Sequence, residues 1–278
     1  MVSIEDLRKA EAVVRRFFPA TPLIGAPRLT EHLGTSVYLK LENVTPIRTF
    51  KIRGALVKLQ SLVDAGVEGG VVTASAGNHG LAVAKAARLF GRSAVVCVPD
   101  GANPQKKALI AAEGAQVVEH GRDYQAAFEN CVRIGEAEGR TLVHAYDDPF
   151  VIAGQGTVGL ELADSGLEFD TVLMGIGGGG LISGVAAALK ALKPGVRVIG
   201  VQPEGADSMI RSIKAGRIVE LDRVATIADG LGARKPGEHT LAMTTRFVDE
   251  IRPVSDDDLW TAMRFLLHQE RIVAEPAG

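Results

Sequence analysis

The 278 residues predict an α/β protein built on mostly parallel sheets. Three observations carry this. Apolar runs of strand length alternate with amphipathic segments of helix length through most of the chain. Glycine is in excess, 32 residues where roughly 7% of a chain is usual, and it gathers where a strand-like run hands over to a helix-like one. No repeat, charge block or low-complexity linker interrupts a length that suits one large domain or two lobes.

Strands are expected at 37–39, 70–74, 94–99, 116–118, 141–144, 171–175 and 196–201, with helices between them. Ile52, Leu56, Leu59 and Val63 recur at helical spacing, so a helix begins near Lys51. Ser255 and Asp258 form a capping-box pattern ahead of a helix whose Trp260, Met263 and Leu267 share one face, which is expected to pack on a sheet. Cys97 and Cys131 have neither CxxC spacing nor a secreted framework and read as buried thiols.

Composition removes several function classes. With 46% hydrophobic and 23% charged residues the chain is globular. Its net charge of -2 and its few aromatics, 9 Phe, 3 Tyr and 1 Trp, argue against nucleic-acid binding. No apolar run approaches the roughly 18 residues of a membrane span, and the first residues lack a signal-peptide core, so a cytoplasmic protein with no membrane partner is expected. The six histidines show no HExxH or paired spacing, and the acidic runs at 147–148 and 256–258 suit turns and helix starts. No metal site is expected.

Three segments carry chemistry. Gly177, Gly178, Gly179 and Gly180 follow an apolar strand and precede a helix; four glycines forgo about 2–4 kcal/mol against alanine. A phosphate held by bare N–H groups at a helix N-terminus offsets that cost, and the plainer alternative is a tight turn. Gly175, Gly177 and Gly180 also fit GxGxxG, but the acid this motif needs about 20 residues on is displaced: the next strand ends at Gln202, with Glu204 beyond Pro203. The second segment, Ser75, Ala76, Gly77, Asn78, His79 and Gly80, offers free N–H groups for a carboxylate, or else an ordinary N-cap through Ser75 or Asn78. In the third, Lys51 stands in the first turn of a helix, where the macrodipole disfavours a cation; a Schiff-base amine is one reading, a solvated lysine the other. A lysine nucleophile, a phosphate cup and a carboxylate cup together are what an amino-acid enzyme using pyridoxal phosphate requires.

The sequence resembles the fold-type II pyridoxal phosphate enzymes, and within them the threonine/serine dehydratase and serine racemase group. The likeness runs through Lys40-Leu41-Glu42-Asn43, Phe50-Lys51-Ile52-Arg53-Gly54-Ala55, Ser75 to Gly80, the stretch from Asp147 to Thr157, the tetraglycine, Ala228-Asp229-Gly230 and Glu275-Pro276-Ala277-Gly278. It implies a two-lobed fold of the tryptophan synthase β type, each lobe a mostly parallel sheet flanked by helices, with residues 1–69 and 148–278 as the large cofactor-binding lobe and 70–147 as a small mobile lobe. It implies that Lys51 carries the cofactor as a Schiff base, Phe50 packs on the pyridine ring and Asn78 bonds the ring hydroxyl. The phosphate falls to Gly177–Gly180 and Leu181, Gly230 and Glu275 adjoin the cofactor, and the substrate carboxylate falls to Ser75, Ala76, Gly77, Asn78 and His79.

Four departures qualify the likeness. Gln202 and Ser208 stand where metal-activated relatives have acids. Ala76 stands where racemases carry the serine that serves the second face of the substrate. Thr45 and Ile47-Arg48-Thr49 replace a Gln and a Thr-Gly-Ser run, which leaves Arg48 either a solvated surface charge or a selector of an unusual β-substituent such as a second carboxylate. Relatives continue past the position of Gly278 to a serine or cysteine that meets the pyridine nitrogen. The resemblance thus implies a homodimeric or homotetrameric dehydratase acting on threonine, serine, or a bulkier or acidic 3-hydroxy amino acid. Serine racemase and, more distantly, a nicotinamide-dependent dehydrogenase are the alternatives.

Overall fold

A computed structural model describes all residues 1–278. The chain opens with α1 (Ile4–Arg15), which a Ser3/Asp6 capping box starts. A small antiparallel pair follows, β1 (Leu23–Gly25) and β2 (Tyr38–Lys40), with α2 (Pro27–Leu33) between its strands. After a 3-10 turn at Glu42–Val44 comes α3 (Lys51–Asp64). The next stretch alternates β3 (Val71–Ala74), α4 (Asn78–Leu89), β4 (Ala94–Val98), α5 (Pro104–Ala112), β5 (Gln116–Glu119), α6 (Tyr124–Glu138) and β6 (Thr141–Leu142). Its four strands form one parallel sheet in the order β5-β4-β3-β6.

This sheet is buried on both faces, as helical crossovers require. Val71, Val96 and Val98 join the main core with the alanines of α4, whereas Val72, Ala74, Val95 and Cys97 pack with Cys131 of α6. Side chains alternate between the two faces at period 2, and both cysteines are fully buried free thiols, as expected.

The remainder runs α7 (Pro149–Ala163), β7 (Thr171–Gly175), α8 (Gly180–Leu192), β8 (Arg197–Pro203), α9 (Ser208–Ala215), α10 (Glu238–Phe247), β9 (Glu250–Val254) and α11 (Asp256–Phe265). A second parallel sheet has the order β7-β8-β9. Helix α7 is buried at every residue from 151 to 162, its polar Gln155, Thr157 and Glu161 included. Its glycines let two other helices approach: a Cβ on Gly154 would lie 2.5 Å from Gly54 Cα of α3, and one on Gly156 would lie 2.9 Å from Gly184 O of α8. One central helix thereby packs against both α3, which begins at Lys51, and α8, which begins at the tetraglycine.

Several expectations are corrected. Strand β6 ends at Leu142 rather than 144, because His144 Nδ1 turns back to accept from Tyr146 N and Asp147 N. The strand expected at 37–39 lies at Tyr38–Lys40, and that expected at 196–201 runs on to Pro203. Two strands escaped the pattern: Leu23–Gly25 is only three residues long, and Glu250–Val254 contains Pro253, tolerable because β9 is an edge strand. The Ser255 capping box is present, but α11 buries none of its residues and Trp260 is 51% exposed. That face does not pack on a sheet.

Candidate active site

Lys51 is the first residue of α3, and its approach is shaped by a loop that Thr45 closes on itself. The buried Thr45 hydroxyl accepts from Thr49 N at 2.9 Å and donates to Thr49 O at 2.8 Å. Within this loop Arg48 takes φ 62, a left-handed conformation uncommon outside glycine, and its side chain is exposed.

Behind the same helix turn, Arg53 is fully buried. It donates to both carboxylate oxygens of Glu42 (2.8 and 2.9 Å), to Glu161 (2.8 and 3.0 Å) and to Thr157 (3.0 Å), while Lys40 Nζ meets Glu161 at 2.6 Å. Burial alone pushes the Glu161 carboxyl up, but Arg53 and Lys40 outweigh it, and its pKa lies below the usual carboxylate range. A buried guanidinium is tolerable only with its donors met. Here they tie the start of α3 to α7 and to the Glu42 turn.

On the opposite side of the turn, Lys51 Nζ donates to Ala145 O at 3.1 Å and stands 5.3 Å from the Phe50 ring centroid. Burial lowers its pKa from 10.5 to about 8, with only Glu275 acting the other way. An appreciable fraction of this amine is uncharged near neutral pH, which suits it to nucleophilic attack and proton transfer.

Lys51 opens on a cleft of about 830 Å³ that also has Phe50, Arg48, Gly77, Asn78, Gly230 and Glu275 on its wall. Asn78 Nδ2 donates to Glu275 Oε1 at 2.6 Å. Ser75, Ala76, His79, Gly177–Gly180 and Leu181 are not on that wall. The tetraglycine stands just behind it: a Cβ on Gly177 would lie 3.0 Å from Leu231 Cα, and one on Gly178 would strike the ring of Tyr146, the neighbour of Ala145. Gly179 has φ 96, which L side chains resist, and no backbone acceptor takes the N–H of Gly177, Gly178, Gly179, Gly180 or Leu181. These unpaired donors at the N-terminus of α8 suit an anion.

The second glycine-bearing turn is similar in plan. Gly77 caps α4 with no side-chain hydrogen bond, and Ser75 Oγ accepts from Gly77 N at 3.2 Å, so neither Ser75 nor Asn78 acts as the ordinary N-cap. The N–H groups of Ala76, Asn78 and His79 meet no backbone acceptor. His79 is buried, its Nε2 lies 3.0 Å from Val143 O and therefore carries the proton, and its Nδ1 has no partner. Burial, with Lys51 nearby, pushes its pKa down to about 3, so the ring is neutral.

A lowered lysine pKa, an aromatic ring beside it and two sets of free N–H groups fit pyridoxal phosphate, and residues 14–278 match the family described as pyridoxal-phosphate dependent enzyme. The chain belongs to this family. Among curated proteins it is similar to the L-threonine ammonia-lyase of Thermotoga maritima, 41% identical over 278 residues that span 100% of this chain and 69% of that one. Among solved structures it is similar to maize serine racemase (TM-score 0.95, 35% identity, 99% of this chain and 84% of that one) and to the T.th. threonine deaminase (TM-score 0.93, 40% identity, 99% and 89%). The fold is that of the fold-type II pyridoxal phosphate enzymes.

In this pyridoxal phosphate enzyme the sequence singled out Lys51, Asn78, Gly230 and Glu275, and they share one cleft. It gave no sign of Tyr146 and Leu231, which cover the tetraglycine, or of Lys106, which pairs with Asp229 at the cleft mouth. Arg53 stood in a recognised motif, yet nothing local announced that it would be buried. Gln202 and Ser208 are fully buried and turned to backbone, Gln202 Oε1 accepting from Ile210 N at 3.1 Å and Ser208 Oγ donating to Ala233 O at 2.9 Å.

Proposed function

We propose that the chain is an ammonia-lyase that converts a 3-hydroxy L-amino acid, threonine or serine, into a 2-oxo acid and ammonia, in the cytoplasm and as a homodimer or homotetramer. The observation that carries this reading is Lys51 Nζ, an amine of pKa about 8 between two turns rich in unpaired N–H groups. The 41% identity to a protein named L-threonine ammonia-lyase points to the same reaction.

Bound through Lys51, pyridoxal phosphate supplies an electron sink for the charge that develops at the substrate's α-carbon. The protein does the rest. The free N–H groups of Gly177–Gly180 and Leu181 would hold the phosphate, Phe50 would pack on the ring, and Asn78 would bond the ring hydroxyl. The turn from Ser75 to His79 receives the substrate carboxylate, and Arg48 stands at the cleft wall to meet the β-substituent. With a lowered pKa, the freed Lys51 amine would be placed to take the substrate's α-proton. The β-hydroxyl leaves as water, and one water is taken back when the nitrogen leaves as ammonia. Residues 70–147 act as a small lobe that closes on substrate and excludes water; its four strands form a sheet of their own, and the Lys106–Asp229 pair and the Asn78–Glu275 bond reach across to the rest of the chain.

Ala76 argues for elimination over inversion, since a methyl group cannot return a proton to the second face. Incubation with L-threonine and L-serine should yield 2-oxobutanoate and pyruvate with equal ammonia, and chiral chromatography should find little D-serine. The variant Ala76→Ser should gain measurable inversion. Absence of 2-oxo acid from every 3-hydroxy amino acid tested, or D-serine formed as fast as pyruvate, would overturn the reading. Sedimentation of the purified protein checks the assembly.

A further inference from the structure

Glu275 and Asn78 are 197 residues apart in sequence, yet Asn78 Nδ2 donates to Glu275 Oε1 at 2.6 Å inside the cleft. Asn78 is the first residue of α4, whereas Glu275 lies in the irregular segment after α11. That segment is held in place: Asn43 Nδ2 donates to Val273 O at 2.9 Å, and Gly278 N to Glu275 O at 2.9 Å. Gly230 borders the bond, since a Cβ there would reach ordinary van der Waals contact with Glu275 Oε1 at 3.8 Å and Asn78 Nδ2 at 3.9 Å.

A carboxylate only accepts, so the end of the Asn78 amide that faces Glu275 must be its NH₂. The amide is thereby denied its flipped orientation, and one N–H stays free on the same nitrogen. The charged groups that act on Glu275 are Asp229 beside Gly230, Lys106 of α5 and Lys51 of α3. Glu275 is exposed to the cleft, so the enclosure that raises its carboxyl pKa is that of the cleft walls rather than of a packed core.

We infer that Glu275 is a positioning residue that acts through Asn78, fixing which end of the amide faces the ring hydroxyl of the cofactor. This rests on the role given above to Asn78. The carboxyl does not touch the reacting atoms; it sets the orientation of a group that does.

The test uses the holoenzyme and four variants: Glu275→Leu, Glu275→Gln, Asn78→Ala and the double variant of Asn78→Ala with Glu275→Leu. Glu275→Leu removes the acceptor, and it should weaken cofactor affinity by about tenfold, as expected for a lost hydrogen bond to a charged group. It should also move the pH midpoint of the lysine-bound cofactor's absorbance by roughly one unit and lower kcat with little change in KM. Glu275→Gln keeps an acceptor and should stay within about threefold of the parent in affinity. In the Asn78→Ala background, Glu275→Leu should change neither affinity nor midpoint further, the mark of two residues acting as one unit. Additive effects in the double variant, or a Glu275→Gln loss as large as that of Glu275→Leu, would overturn the inference. Should Glu275→Leu fail to fold, the Glu275→Gln affinity decides on its own. A parent protein with no absorbance from lysine-bound cofactor would instead sink the proposed function, so the two failures are distinguishable.

Discussion

The two strand-to-helix turns beside Lys51 share a plan and differ in enclosure. Each follows a strand of a parallel sheet, each starts a helix without a side-chain cap, and each leaves consecutive N–H groups unpaired. At Gly177–Gly180 an added Cβ would meet Leu231, Tyr146, Met209 or Thr240 within about 3 Å. The turn at Ser75–His79 has open space beside Gly77 and carries the polar side chains of Ser75, Asn78 and His79. The difference suits two kinds of ligand. In the proposed function the enclosed turn would meet the cofactor phosphate with fixed donors that need no reorganisation, and the open turn would receive the substrate carboxylate.

Experiments can press on this contrast, beginning with the residue between the turns. Lys51→Ala should lower kcat by roughly 10²–10⁴-fold, the range for loss of a positioned acid–base group, and mass spectrometry after borohydride treatment should find no cofactor attached. Next in size, Gly179→Ala forces a side chain into a left-handed backbone and toward Met209 Cε, 2.6 Å from the added atom. It should destabilise the fold by about 1–3 kcal/mol in urea titration and weaken cofactor binding. Retention of full affinity would mean that the turn is not the enclosed cup described.

A smaller effect concerns pH. Burial lowers the Lys51 pKa from 10.5 to about 8, so between those values the unfolded chain binds a proton that the folded chain does not. Stability of the cofactor-free protein should therefore rise with pH across that window. Lys40, whose pKa burial also lowers, adds in the same sense, so the Lys51 share is the difference in slope between the parent and Lys51→Met. The smallest effect belongs to the open turn: Gly77→Ala has no atom within 4 Å of the new Cβ and should change stability by less than about 1 kcal/mol, with any loss appearing in KM. A destabilisation matching that of Gly179→Ala would erase the distinction between the turns.

Most of the fold was legible. The strands of both parallel sheets, apart from β9, stood out as apolar runs, and α3 was visible from the spacing of Ile52, Leu56 and Leu59. The glycine-rich turns were legible because backbone N–H groups at a helix start need no particular neighbour to define them. Other features were not legible. Trp260 and Leu267 look like a core face from their spacing and are exposed instead, since periodicity reports a face without saying whether anything covers it. The edge strand Glu250–Val254 was hidden by its proline, and β6 was overcalled because the local pattern does not show that His144 turns back on its own chain.

The amino-acid sequence by itself determined the α/β alternation, the amine at the head of α3, the two small-residue turns with free N–H groups and the family. These follow from local spacing and from backbone freedom, which are properties of a few consecutive residues. Only the tertiary structure decided that Arg53 is buried among two carboxylates, that Tyr146 and Leu231 wall the tetraglycine, and that Glu275 meets Asn78. A buried charge or a free amide is satisfied by whichever group the packing brings near. That partner is chosen by the arrangement of helices around α7, across separations at which sequence pattern carries no signal.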